Sequence, residues 1–172
     1  ILFCITAVNG ITELAVHFIS KGNYMSDQSV NILLVEDNPH HAELAMRALK
    51  MHNLAENFVW VKTGEDATDF IFCRGEFASR KIENTPKVVL LDLKLPKKSG
   101  LDVLREIRSD ARTKEIPVVM LTTSREQKDI VEGHNLGLNG YVVKPDDFEK
   151  FAEAIRNVGY YWLVLNQQPK KA

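Results

Sequence analysis

Lys87-Val88-Val89-Leu90-Leu91-Asp92-Leu93-Lys94-Leu95-Pro96 is the stretch on which the fold turns. Between Pro86 and Pro96 a run of valines and leucines continues without a polar residue from Val88 to Leu91. Such a run reads as a strand covered on both faces, as the strands of parallel sheets are. It ends on a carboxylate, which puts Asp92 at the C-terminal edge of the sheet, where open α/β sheets keep their ligand crevice. Taken alone, Asp92 is equally compatible with a strand that merely meets solvent, so its company has to decide.

The rest of the chain repeats the pattern. Asn31 to Val35 is a short apolar run that ends in Glu36-Asp37. Asn38 is a good N-cap and Pro39 suits the first helical position, with Ala42, Ala45, Met46 and Leu49 at helical spacing. Asn57 to Val61 is a second strand, and Gly64 opens a helix carrying Ala67, Phe70 and Ile71. Residues 74–86, with Gly75, Asn84 and Pro86, read as a polar connection, long for such a unit.

After Asp92, Ser99-Gly100 open a helix with Val103, Leu104 and Ile107 on one face. Ile116 to Leu121 is a fourth strand, ending at Thr122-Thr123-Ser124. The helix expected over 125–136 is weakly amphipathic, with Ile130 and Val131 as its apolar pair. Gly137 and Gly140 bracket the turn into Tyr141-Val142-Val143, which runs into Lys144-Pro145. Phe148, Phe151, Ala152 and Ile155 mark the last helix. Five strands alternating with five helices require right-handed crossovers and a doubly wound parallel sheet of the α/β class.

At 172 residues the chain has the length of one domain with a full core. Its composition, 45% apolar and 26% charged, is that of an ordinary globular protein. A formal charge of −1 offers no Lys/Arg excess with which to displace counterions from a nucleic acid. Cys4 and Cys73 form no metal or redox motif, and free thiols fit a reducing, cytoplasmic compartment. His17, His40, His41, His52 and His134 show no ligand spacing and read as surface residues. Residues 1–24 are mildly apolar but are interrupted by Glu13 and His17 and lack a basic lead, so neither a membrane span nor a signal peptide is expected. The expected organisation is an extension over 1–29 outside the fold, a domain over 30–165 that includes a C-terminal helix extension, and a tail over 166–172.

In a parallel sheet the strand ends share one edge, so Glu36, Asp37, Asp92, Thr122 and Lys144 can converge on one crevice. Carboxylates gathered there repel: a like-charged pair about 4 Å apart costs roughly 4 kcal/mol at an effective dielectric of 20. A divalent cation makes the arrangement sensible, and an all-oxygen set without His or Cys favours Mg²⁺. Given a metal, Asp92 is placed to attack a phosphoryl group, with Lys144 offsetting charge and Thr122 donating a hydroxyl hydrogen bond.

At this point the residues resemble a known family. Val35-Glu36-Asp37, Leu90 to Pro96 with Gly100, Leu121-Thr122-Thr123 and Tyr141 to Pro145 are similar to the signature blocks of response-regulator receiver domains. Thr122, Tyr141 and Lys144 follow Asp92 by 30, 49 and 52 positions, which also matches the family. The resemblance covers about Asn31 to Val158 and is strongest to stand-alone regulators that partner phytochrome-type sensor kinases. It implies a flavodoxin-like (βα)5 sheet of order 2-1-3-4-5 and a signalling protein, not an enzyme beyond its own phosphorylation and dephosphorylation. Asp92 would accept a phosphoryl group from a kinase histidine. Asp37, Asp92 and the backbone carbonyl of Lys94 would hold Mg²⁺, with Glu36 acting partly through water. Lys144 would contact the phosphoryl group, the Lys144-Pro145 bond would be cis, Thr122 would swing toward the phosphate, and Tyr141 would turn inward behind it.

Lys94 and Thr123 depart from the plainest family pattern, and Lys94 is expected to overhang the phosphoryl group and slow attack by water. Lys94 also stands where a haloacid-dehalogenase-type phosphatase needs a second Asp, which counts against that alternative. A phosphorelay intermediate that hands its phosphate to a histidine phosphotransfer protein remains open. The C-terminal helix continues past Ile155 with a second apolar stripe, Ala154, Val158, Tyr161 and Leu165, joined by Trp162 and Leu163. A helix apolar nearly all round is buried on more than one side. Output is therefore expected through protein contact, with a homodimer whose interface includes Tyr161, Trp162 and Leu165.

Overall fold

Three strands are buried along their whole length: β1 (Ile32–Val35), β3 (Val88–Leu91) and β4 (Val118–Thr122). Both of their faces are covered, which is why their sequences do not alternate. The two flanking strands differ. β2 (Phe58–Val61) alternates between half-buried and buried, and β5 (Gly140–Val143) is half-buried throughout. The computed structural model describes residues 29–167, and in it the strands form one parallel sheet of order β2-β1-β3-β4-β5. Residues 1–28 of the expected extension and 168–172 of the expected tail lie outside the described residues.

Four helices cross between the strands, α1 (Pro39–Lys50), α2 (Gly64–Ile71), α3 (Gly100–Ser109) and α4 (Gln127–Asn135), and α5 (Phe148–Tyr160) follows the last strand. Each strand shows one set of side chains to each layer. Leu33, Val35, Val89, Leu91 and Met120 pack with Phe70, Ile71, Leu104 and Ile107 on the α2–α3 side. Ile32, Leu34, Val88, Leu90 and Leu121 pack with Ala45, Leu49, Phe151 and Ile155 on the α1–α5 side. The helix starts follow the sequence: the side chains of Asn38, Thr63, Ser99 and Asp147 cap α1, α2, α3 and α5 by accepting backbone N–H groups. α4 has no side-chain cap and buries only Gly133, as its weak amphipathicity foreshadowed.

Three expectations need correction. The 74–86 connection is more than a polar loop. A 3₁₀ turn at Gly75–Phe77 buries Phe77 edge-on against Phe70, with centroids 5.2 Å apart. Arg80 is buried over the Phe70 ring, 3.6 Å from its centroid, and donates to the carbonyls of Phe70 and Asn84. The isolated Phe77 and Arg80 thus seal the open end of the α2 layer.

Phe148 shares the helical register of Phe151 and Ile155, but as the first residue of α5 it is 70% exposed, because the helix turns onto the core only at Phe151. His41 is half-buried rather than a surface residue, because its ring tilts against Phe151 with centroids 6.0 Å apart. Among the described residues no peptide bond is cis, so Lys144-Pro145 is trans, the form an X–Pro bond favours by about 0.5–1 kcal/mol. α5 runs on into a π-helical turn, Tyr161–Leu165.

Candidate functional site

The ends of β1, β3, β4 and β5 deliver the polar side chains to one edge of the sheet. Glu36, Asp92 and Lys144 each directly follow a strand, and Thr122 closes β4. Lys144 Nζ donates to Asp92 Oδ2 and to Glu36 Oε2, both at 2.6 Å, and all three residues are buried. Asp37, next along the chain, is exposed. One carboxylate oxygen from each of Glu36, Asp37 and Asp92 lies within 4.8 Å of the others. Burial pushes the Glu36 carboxyl above the usual carboxylate range, while Lys144 pulls against it.

One lysine therefore faces three clustered carboxylates, and repulsion at this range is worth kilocalories. The donors are hard oxygens, and Asp37 opens the cluster to solvent, which fits an octahedral cation that keeps some of its waters. Glu36 is the least available of the three. Its Oε1 accepts from the Asn38 N–H and faces His41 Nδ1, both at 3.3 Å, and its Oε2 holds Lys144.

The β3–α3 loop wraps the Asp92 end of the sheet. The Lys94 N–H donates to Asp92 Oδ1 at 3.3 Å, while the Lys94 side chain is exposed and lines an open groove with Asp37, Leu95, Pro96, Glu126 and Lys128. Gly100 is required here for close approach: a methyl group at this position would collide with the Asp92 carbonyl oxygen. At the end of β4, Thr122 is fully buried. Its Oγ1 accepts from the Ser124 N–H at 3.1 Å, so the hydroxyl proton remains available for donation.

Tyr141 is half-buried, and its hydroxyl donates to the Ser124 carbonyl at 3.2 Å, burial holding the phenol above its ordinary pKa. Ser124 Oγ in turn donates to Asp129 in the first turn of α4, at 2.8 Å. Ser124 thus ties Thr122, Tyr141 and α4 together. Nothing in the sequence marked Asp129, Trp60 or His41 as part of this region. Only the hydroxyl-rich run after β4 hinted at Ser124.

The C-terminal residues divide. Tyr161 and Leu165 are 50% and 58% exposed, whereas Trp162 is half-buried against the α1–α5 side of the core and edge-on to Tyr161. Trp162 therefore packs in part within its own domain, as a helix apolar on more than one side allows.

A five-stranded parallel sheet of this order, carrying an acid cluster, a threonine and a lysine on one edge, defines a signalling receiver module. The chain belongs to the response regulator receiver domain family, whose model matches residues 32–156. It is 38% identical over 141 residues to the probable methanogenesis regulatory protein FilR2 of Methanothrix harundinacea, spanning 82% of this chain and 88% of that protein. It is 35% identical over 144 residues to response regulator Rcp1 of Synechocystis, spanning 81% of this chain and 95% of Rcp1.

The Mn²⁺-bound crystal structure of Rcp1 superposes with a TM-score of 0.75 at 32% identity, over 81% of this chain and 99% of Rcp1. The phosphorylated cyanobacterial phytochrome response regulator RcpA superposes with a TM-score of 0.77 at 34% identity, over 83% of this chain and 100% of RcpA. The chain is thus similar to phytochrome-associated regulators that consist of little beyond this one domain. Its family is one of signalling proteins and not of conventional enzymes. Among the described residues no helix is long and apolar enough to cross a membrane.

Proposed function

We propose that the chain is a response regulator that takes a phosphoryl group from a sensor histidine kinase onto Asp92, in a Mg²⁺-dependent reaction, and signals through a phosphorylation-dependent change of shape and protein contacts. The observation that supports this best is the meeting of Lys144 Nζ with the Asp92 carboxylate at 2.6 Å, beside the Glu36–Asp37 pair.

A carboxylate oxygen of Asp92 forms a bond to phosphorus as the phosphorus–nitrogen bond of the donor phosphohistidine breaks, and the electron pair returns to the donor's imidazole. Lys144 stands ready to offset the negative charge on the phosphoryl oxygens, and the Thr122 hydroxyl, at the end of β4, would be a second donor. Asp37, Asp92 and the Lys94 carbonyl would hold Mg²⁺, with Glu36, its oxygens already engaged, acting through water. When bound, the ion supplies positive charge that lets a phosphoryl group approach a cluster of carboxylates.

The output begins at Thr122. Turning its hydroxyl toward the adduct takes the acceptor away from the Ser124 N–H, and Tyr141 is tied to the carbonyl of that same residue. Adduct and free forms thus favour different arrangements of Thr122, Ser124 and Tyr141, a two-state element biased by the modification. The similarity to RcpA supports a phytochrome-type kinase as donor. An interior, cytoplasmic location fits such a donor. The exposed apolar side chains of Tyr160, Tyr161, Val164 and Leu165 support a homodimer built on α4, β5, α5 and the final turn. The test is transfer from a phytochrome-type kinase labelled on its histidine: label should move to the wild-type chain and not to Asp92→Ala. Label retained by the kinase, or equal labelling of both chains, would overturn the proposal.

A further inference from the structure

Trp60 lies on β2, at the edge of the sheet and one strand away from the acids. Its backbone is in register with Leu34, yet its indole Nε1–H reaches the carbonyl oxygen of Glu36 at 2.8 Å. That carbonyl sits where the chain leaves the sheet. The N–H of Glu36 still extends the ladder by donating to Val61 at 3.1 Å, and two residues later Asn38 caps α1. Both Glu36 side-chain oxygens are taken as well, by Lys144 on one side and by Asn38 and His41 on the other.

The peptide unit that joins Glu36 to Asp37 is planar and rigid. Holding its oxygen therefore fixes the plane from which the Asp37 side chain departs. Asp37 is exposed and has little packing of its own to orient it. The indole, by contrast, is well seated, half-buried against the α1–α5 side of the core with Lys62 Nζ 5.2 Å from its ring centroid.

We infer that Trp60 is a positioning residue for the cation site: through the Glu36 carbonyl it aims Asp37 at the carboxylate cluster. The inference rests on the metal reading of Glu36, Asp37 and Asp92 given above. It does not place Trp60 in contact with the cation, and it assigns the edge strand β2 a part in the site that the positions of the acids alone do not suggest.

The test is Mn²⁺ binding by the full chain, read from the EPR signal of the free ion. Trp60→Phe keeps a ring and removes the N–H, and it should weaken Mn²⁺ binding about 3- to 10-fold, the worth of one neutral hydrogen bond. Trp162→Phe makes a similar change in the same apolar layer away from the acids, and it should leave the affinity unchanged even where it lowers the melting temperature. Asp37→Asn separates the two possible failures. A large loss in Asp37→Asn with none in Trp60→Phe overturns the role of Trp60 alone. No loss in either variant overturns the cation reading and this inference with it.

A second measurement avoids any change at Trp60. The chain has two tryptophans, so Trp162→Phe leaves one indole N–H resonance. A shift of that resonance on adding Mg²⁺ supports the coupling, and an unmoved resonance at saturating Mg²⁺ overturns it.

Discussion

Lys144 and Glu36, 108 residues apart in the chain, form an ion pair of 2.6 Å with side chains only 4% and 2% exposed, and the same ammonium group holds Asp92. A buried pair of this kind says little about net stability while intact, but removing one partner strands the other's charge. Lys144→Met leaves two buried carboxylates without their cation and is expected to cost about 3–5 kcal/mol in urea denaturation. Added Mg²⁺ should recover part of the loss, because it would bring positive charge to the same carboxylate cluster. An unchanged midpoint in metal-free buffer would show that the lysine is not what balances the cluster.

Asp37 is the exposed member of the cluster and has no structural need for its charge in the absence of a cation. Asp37→Asn is therefore expected to stabilise the metal-free protein modestly, by about 0.5–1 kcal/mol at low salt given its exposure. The same change should abolish the rise in stability expected of the wild type on adding Mg²⁺. Paired denaturation curves in EDTA and in MgCl₂ measure both effects. Equal stabilisation of both chains by Mg²⁺ would place the ion elsewhere.

Lys94 follows Asp92 by two residues, its N–H donates to Asp92 Oδ1, and its exposed side chain lines the open groove that also holds Asp37. Lys94→Asn is expected to shorten the lifetime of the phosphorylated protein several-fold, corresponding to about 1 kcal/mol in the hydrolysis barrier. Decay after removal of the phosphodonor measures it. An unchanged half-life would mean that the lysine swings clear of the adduct.

Tyr161 and Leu165 leave apolar surface on the final turn, continuous with α5. If that surface joins two copies, the double variant Tyr161→Glu, Leu165→Glu should sediment as a monomer at concentrations where the wild type is a dimer. The fold is expected to persist, since neither side chain is part of the buried core. A wild type that is monomeric with and without a phosphate mimic would remove the dimer from the account.

The legibility of this chain divides along a physical line. Strand identity was plain where both faces are covered, as at Val88 to Leu91, because an unbroken apolar run leaves few alternatives. Asn38, Ser99 and the glycines at 64 and 100 likewise announced their helices through local chemistry. The strand-end positions of Glu36, Asp37, Asp92, Thr122 and Lys144 followed from topology, since parallel strands share one edge.

What stayed hidden depends on contacts between distant residues. The hydrogen bond from Trp60 to Glu36, the His41 imidazole against Glu36, and the hub at Ser124 have no spacing rule to reveal them. The 74–86 connection misled for a related reason: one phenylalanine and one arginine in a polar stretch do not make a periodic pattern, yet Phe77 and Arg80 close a core. At the C-terminus the apolar stripe was visible, but how it divides between the core at Trp162 and solvent at Leu165 was not.

The most direct measurement is the intact mass of the chain after incubation with a small-molecule phosphodonor, with no kinase present. A single phosphoryl adduct should form on the wild type in the presence of Mg²⁺, vanish in EDTA, and be absent from Asp92→Ala. An adduct of equal yield on Asp92→Ala, or one indifferent to the removal of divalent ions, would contradict the claim that these strand ends form a metal-assisted phosphoryl acceptor.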